Sequence, residues 1–204
     1  MERTIPTAET ESEVNADVEL ARSGNRKAFS RLVIKYQNMI VSLCTHLLGN
    51  KNDGEDTAQE TFIKAFQGLA SFRNEARFST WLYTIAVNLC RNHQRSFWQK
   101  LFRKSKAAGI PSTTDDASEM IDIIDSSPLP SQDLERKEFR DHIKRAIGLL
   151  PARYRELIVL RDIKQMRYDE IATIMDVPEG TIKSGIARAR LALQTELKGR
   201  IDGF

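Results

Sequence analysis

Cysteine is scarce. Cys44 and Cys90 are the only two in 204 residues, far apart and in no CxxC spacing. So few thiols in so long a chain exclude a disulfide framework, and each sits in an apolar helical stretch where cysteine packs as a small hydrophobe. Histidine is nearly as rare, at His46, His93 and His142, and HExxH, the phosphate-binding glycine loop and GxSxG are all missing. An enzyme is therefore not written into the chain, and no metal site, cofactor or small-molecule substrate is called for. No run is apolar enough to span a bilayer. Residues 1–13 are polar and acidic, not basic and then apolar, so they do not read as a secretory leader. A cytoplasmic protein with a disordered tail over 1–13 is the expectation.

Proline is missing from residues 14–96, and apolar residues recur there at helical spacing. Phe29, Leu32, Val33, Tyr36, Met39, Ile40 and Leu43 form one stripe. Gly49-Asn50-Lys51-Asn52-Asp53-Gly54 interrupts it. A second helix is expected over about 55–69, with Ala58, Phe62, Ala65, Phe66 and Leu69 on one face. A third is expected over about 77–95, with Phe78, Trp81, Leu82, Ile85 and Leu89 on its stripe. Residues 97–132 change character: a basic, aromatic piece from Phe97 to Lys104, then Ser, Thr, Asp and Pro from Pro111 to Gln132, the composition of a linker. Helices resume near Leu134, with Phe139, Ile143, Ile147 and Leu150 as a stripe and Pro151 opening the next helix. No strand alternation and no internal repeat is present. The fold class is all-α: two small helical domains on a flexible linker, over 14–96 and 133–200, the second a four-helix domain. Lys and Arg number 31 against 28 Asp and Glu, a net charge of +3, so any charged patch requires the two signs to segregate.

The sharpest pattern lies in 168–193. Tyr168 to Met175 reads as a short helix, Asp176-Val177-Pro178-Glu179-Gly180 as a tight turn, and Thr181 to Leu193 as a second helix, a helix-turn-helix. At about 100° per residue, Ile182, Ile186, Ala189 and Leu193 share a buried side. Ser184, Ala187, Arg188 and Leu191, flanked by Lys183, share the opposite one. Small residues admit a helix to the major groove, and Arg, Lys and Ser reach base edges or phosphates. A solvated charged face is the plainer reading of the same residues.

Together with Leu150-Pro151 and Tyr154-Arg155-Glu156, this segment resembles region 4 of the extracytoplasmic-function sigma factors. The resemblance implies that it reads the −35 promoter element through Glu179, Thr181, Lys183, Ser184, Ala187, Arg188 and Arg190, and touches the polymerase flap. One departure stands out. The family usually has a basic residue after the serine, where this chain has Gly185. A mid-helix glycine costs about 1 kcal/mol relative to alanine, and one expected DNA contact is lost.

In the first domain Asp53, Glu55, Asp56 and Glu60 gather at a helix start, where acidic groups also suit the helix dipole. A calcium loop would use Asp53, Gly54 and Glu60 but would need carboxylates where Gly49 and Lys51 stand. The segment from Asp53 to Phe62 is similar to the family's dock on the polymerase clamp helices, which assigns Asp53, Glu55, Asp56, Gln59, Glu60 and Phe62 to polymerase binding. An acidic helix suits a basic partner surface. The similarity continues through Phe72-Arg73, Arg77 to Tyr83, Ile85 to Asn88 and Arg91-Asn92. These look like regions 2.3 and 2.4, where the family opens and reads the −10 element. That implies DNA contacts by Arg73, Arg77, Phe78, Thr80, Trp81, Tyr83, Asn88, Arg91, Asn92 and Arg95. Aromatic stacking returns about 1–3 kcal/mol per unstacked base. Phe78, Trp81 and Leu82, on the apolar stripe, read more readily as core, and Tyr83, beside the stripe, as the more available ring.

The implied function is a non-enzymatic sigma factor that carries core RNA polymerase to −10 and −35 elements, assists melting and starts transcription, with an anti-sigma factor as a further partner. A stand-alone helix-turn-helix regulator is the rival, but it leaves the acidic helix and linker without a role. The linker carries Asp115, Asp116, Glu119, Asp122 and Asp125. In the resembling family it runs through the polymerase cleft, where it would act as a nucleic-acid mimic; a solvated spacer is the alternative.

Overall fold

The computed structural model describes the backbone of residues 8–74, 76–108 and 132–201, and the side chains of 11–74, 76–96 and 139–198. All regular structure among them is helical. Helix α1 (Ala8–Arg22) buries Val14, Val18 and Ala21. Asn25 then caps α2 (Arg26–Leu48), its side-chain oxygen accepting the N–H groups of Lys27 at 3.1 Å and Ala28 at 3.2 Å. Helix α2 buries Leu32, Tyr36, Ile40, Leu43 and Leu47 at intervals of three or four residues.

Gly49 takes the left-handed conformation at φ 74° and donates its N–H to the Thr45 carbonyl, ending α2. Asn50 caps α3 (Lys51–Gly68) at once, accepting from Asn52 and Asp53. One helix stops and the next starts within two residues, so α2 and α3 return as a tight antiparallel pair. Gly54 lies at their closest approach: a Cβ there would stand 2.5 Å from the Thr45 hydroxyl oxygen and 2.8 Å from the Thr45 Cα. A short turn, Leu69–Ser71, leads towards α4 (Phe78–Ala108), which packs on α2 and α3.

The second unit is α5 (Gln132–Leu149), α6 (Ala152–Ile158), α7 (Tyr168–Met175) and α8 (Glu179–Ile201). Pro151 precedes α6, which runs into one wide π turn, Val159–Ile163. Asp176, left-handed at φ 54°, ends α7 and turns the chain into α8. Ile171, Ile174, Ile182, Ile186, Leu157 and Leu160 fill the centre of this unit.

The all-α, two-unit expectation holds, and the boundaries move. Residues 8–13 of the expected tail are helical, while 1–7 lie outside the described residues. The third helix continues past Arg95 to Ala108, so 97–108 of the expected linker prolong α4; the acidic segment from Asp115 to Asp125 lies outside the described residues. Asp53 and Gly54 belong inside α3, because Asn50 supplies a cap that the glycine pattern concealed. Phe139, expected on the α5 stripe, is exposed.

The two units touch: α2 packs on α5, α6 and the π turn, and α4 packs on α7.

Gly54→Ala should destabilise the first unit by about 1–3 kcal/mol through overpacking. Thr45→Ala should not rescue it, because the obstacle includes Thr45 backbone. Thermal unfolding of both variants and their combination checks this.

Candidate nucleic-acid and protein interfaces

Helix α3 divides its residues cleanly. Thr57, Ala58, Thr61 and Ala65 face the core, and Asp56, Gln59, Glu60 and Ile63 face solvent. Asp53 is half-buried with its carboxylate 3.8 Å from the ring of His93, and Glu55 reaches Lys51 at 4.0 Å. Phe62 is partly buried against the core. Among the expected contact residues, Asp56, Gln59 and Glu60 therefore form the outward acidic surface. No group of three or more metal-ligating side chains exists among the described residues, and the calcium-loop reading has no geometry to rest on.

The start of α4 is an aromatic knot. Phe78 packs on Tyr36 and Phe72 with ring centroids 5.7 Å away in both cases, and Trp81 lies 4.9 Å from Phe72. Phe78 and Thr80 are buried, and Trp81 is half-buried. Tyr83, expected to be the more available ring, is only 5 % exposed. Burial, with the nearby Glu170 carboxylate, holds its phenol well above the usual range. Phe78, Thr80 and Tyr83 thus form core in this arrangement. Helical periodicity placed Tyr83 beside the stripe, but α7 packs on α4 and adds a second burying surface.

Arg73, Asn88, Asn92 and Arg95 are exposed. Arg77 is held by two carboxylates: its Nε is 2.6 Å from Glu11, and its Nη1 is 3.8 Å from Glu170 on α7. Arg91 makes a bidentate pair with Glu156 on α6, both N–H donors 2.8 Å from the two carboxylate oxygens.

Helix α8 presents the predicted two sides. Ile182, Ile186 and Ala189 are buried, and Leu193 is partly buried. Lys183, Ser184, Ala187, Arg188 and Leu191 are exposed. Lys183 pairs with Glu179 at 2.9 Å and lies over the Tyr168 ring, and Arg190 pairs with Asp162 of the π turn. The Arg188 Nε donates to the Ser184 carbonyl one turn back, at 3.3 Å, and the Ser184 hydroxyl donates to the Thr181 carbonyl. Exposed pairs of this kind contribute little net energy.

Gly185 does not belong to the exposed side. It is buried, and a Cβ there would meet Leu157 of α6 at 2.9 Å. Its role is close approach of α8 to α6, not close approach to DNA, and the missing basic side chain would have pointed at the core.

Residues 32–99 match Sigma-70 region 2, and residues 140–193 match Sigma-70, region 4. The ECF RNA polymerase sigma-E factor of Escherichia coli (strain K12) is 36 % identical over 186 residues, covering 89 % of this chain and 92 % of the relative. The ECF sigma factor SigW of Bacillus subtilis (strain 168) is 34 % identical over 181 residues, covering 89 % and 95 %. The chain belongs to the ECF RNA polymerase sigma factors. Two solved structures share the fold. CnrH, solved with the cytosolic domain of CnrY, has a TM-score of 0.63 at 22 % identity over 92 % of this chain and 98 % of its own. RpoE of Bartonella quintana, solved with the anti-sigma factor NepR, has a TM-score of 0.57 at 26 % identity over 84 % and 98 %.

This sigma factor binds core RNA polymerase and directs it to specific promoters. It belongs to a family of initiation factors, not to a family of catalysts. The rival reading as a stand-alone regulator has no place for a region 2. No helix among the described residues is long and apolar enough to cross a membrane.

The residues that sequence reasoning missed are Glu156, Glu170, Arg155 and Lys164, all on the second unit and all facing the first. Lys164 donates from Nζ to the Ser42 hydroxyl at 2.6 Å, and burial lowers its pKa to about 8. Arg155 donates to the carbonyls of Ile147, at 3.2 Å, and Leu47, at 3.0 Å. The sequence signals were the Tyr154-Arg155-Glu156 stretch, part of the region 4 resemblance, and the apolar run from Leu157 to Leu160 that follows it.

Gly185→Arg should lower the stability of the second unit by about 1–3 kcal/mol, because its side chain must displace Leu157, and should not strengthen promoter binding. Thermal unfolding paired with a binding titration checks both halves.

Proposed function

We propose that the exposed acidic side of α3, centred on Asp56, Gln59 and Glu60, docks on the clamp helices of core polymerase. Asp53, Glu55 and Phe62 flank it. Helix α4 and the loop before it, within a region 2 over 14–96, open and read the −10 element. Arg73, Arg77, Arg91 and Arg95 hold the backbone, Asn88 and Asn92 meet base edges, and Trp81 supplies a ring for stacking. Helix α8, within a region 4 over 133–200, enters the major groove of the −35 element. Ser184, Ala187 and Arg188 face the bases, and Lys183 and Arg190 exchange their carboxylate partners for phosphates.

The observation that carries this reading is the sorting of charge on α3 and α8. Each buries one apolar side and turns outward the chemistry its target requires, carboxylates for a basic protein surface and small and basic groups for DNA. We place the protein in the cytoplasm, where its polymerase is. Because RpoE, at 26 % identity, was solved with the anti-sigma factor NepR, we also assign this chain an anti-sigma partner.

Replacing Asp56 and Glu60 together with Lys should weaken competition for core polymerase at least tenfold while thermal unfolding of the protein is unchanged. Core binding equal to wild type would remove α3 as the dock. On the DNA side, Arg188→Ala should cost about 1–3 kcal/mol and relax selectivity at one base pair. Lys183→Ala should weaken binding evenly across sequences and flatten the log–log salt slope by about 0.9. Promoter titrations of the holoenzyme at several salt concentrations distinguish these outcomes.

A further inference from the structure

Helix α1 carries a carboxylate where its core-facing stripe calls for an apolar residue. Glu11, Val14, Val18 and Ala21 recur at intervals of three or four residues, and the last three are buried. The Glu11 Oε1 is sealed from solvent and accepts no well-aligned hydrogen bond. Its compensation is charge: the Arg77 Nε stands 2.6 Å away. Glu170 of α7 is farther from the same guanidinium, at 3.8 Å. A carboxylate oxygen withdrawn from water is tolerated where an opposite charge meets it, so Glu11 and Arg77 fix each other's positions. Burial, and then the Glu11 charge, push the neighbouring Tyr36 phenol up to about 12. Two turns further along α1, the Glu19 Oε1 accepts from the Arg22 Nη1 at 2.9 Å and from the Asn74 Nδ2 at 3.1 Å. Asn74 is left-handed at φ 57°, a conformation asparagine takes more readily than most residues with a side chain.

Both ties reach one stretch of chain. Phe72 and Phe78 anchor its ends, where both rings are buried, while Arg73, Asn74 and Arg77 between them are exposed. A cavity of about 250 Å³ opens between α1 and this stretch, lined by Glu11, Asn15, Tyr36, Asn74 and Arg77 among others. Close packing therefore does not decide where Asn74 and Arg77 stand; Glu19 and Glu11 do. The Arg77 carbonyl also accepts the Trp81 N–H at 3.1 Å, so fixing Arg77 fixes the point where the loop becomes helix. The match to Sigma-70 region 2 covers residues 32–99, and α1 lies before it.

We propose that α1 is the positioning element of the −10 reader, with Glu11 holding Arg77 and Glu19 holding Asn74. The two carboxylates act through these residues, not on DNA. They set in advance the loop that leads into α4, so that Arg73, Arg77 and Trp81 meet the −10 strand in one arrangement. Ordering a loop on binding costs affinity; a loop held beforehand leaves more of the contact energy to tell one base from another. The proposal rests on the assignment of this loop and α4 to the −10 element.

The test uses the full chain bound to core polymerase. Its template is a promoter that the wild-type holoenzyme selects from a pool of random-sequence DNA, with copies carrying single −10 substitutions. Titration on the closed duplex reads initial binding, and permanganate reactivity of the −10 thymines reads the rate of opening. Glu11→Ala with Glu19→Ala should leave initial binding and competition for core unchanged. The same variant should slow opening and flatten discrimination among −10 sequences, each about tenfold, as expected when reading groups are misplaced. Glu11→Gln with Glu19→Gln keeps an oxygen acceptor at both places and should restore most of both properties. Equal loss in the two double variants would mean that the carboxylates supply charge rather than placement, and would overturn the proposal. So would unchanged −10 discrimination in the double alanine variant. If circular dichroism shows that variant partly unfolded, Glu19→Ala decides alone, since Glu19 is exposed: it should lose discrimination that Glu19→Gln keeps, and no loss overturns the proposal. The −10 reading fails separately, and takes the proposal with it, if Arg73→Ala, Arg77→Ala and Trp81→Ala all leave opening and −10 discrimination unchanged.

Discussion

The carbonyl of Leu47, at the C-terminus of α2, is where three helices are tied together. It accepts the Gln94 amide of α4 and an Arg155 N–H of α6. A helix ends with carbonyls that have no partner of their own and with partial negative charge. Here two of the chain's other helices supply the donors. Next to this joint the buried Glu156 carboxylate is paired with the half-buried Arg91. Removing Arg91 would leave the buried carboxylate without its counter-charge, which is destabilising. The pair therefore fixes register: it holds while both partners are present, and it resists partial slippage.

That joint explains why α4 has two lives. Its apolar side, through Phe78, Leu82, Ala86 and Cys90, completes the core against α2 and α3. Its polar side carries Asn88, Arg91, Asn92 and Arg95. Cys44 and Cys90 meet inside this packing, where contact between the thiols and burial push the Cys90 thiol far up. Both behave as small core residues. An amphipathic helix with one side committed to a core has only the other side to offer to a partner, and α7 and Glu156 of the second unit occupy part of it.

What the sequence made legible follows from periodicity and local chemistry. The outward and inward sides of α8 were readable from residue spacing alone, because helical geometry dictates which residues share a face. The order of acidic helix, aromatic-basic helix and helix-turn-helix located the three candidate surfaces. Tyr83, Gly185, Glu156 and Glu170 were not readable. Tyr83 and Gly185 depend on which neighbouring helix lies against them, α7 in one case and α6 in the other. The two carboxylates gain meaning only from arginines at sequence separations of 65 and more residues. Contacts between units carry no periodic signature, so a reading by segments assigns each domain its surfaces and leaves blank the surface they share.

This chain supplies promoter choice to a polymerase that lacks it. The most direct measurement is reconstituted transcription on sheared genomic DNA of the host, with core polymerase alone, the factor alone and both together, followed by sequencing of the RNA 5′ ends. With both present, starts should concentrate at a limited set of positions, each preceded by two short shared elements at fixed spacing, and neither component alone should produce them. Starts distributed as with core polymerase alone would contradict the account.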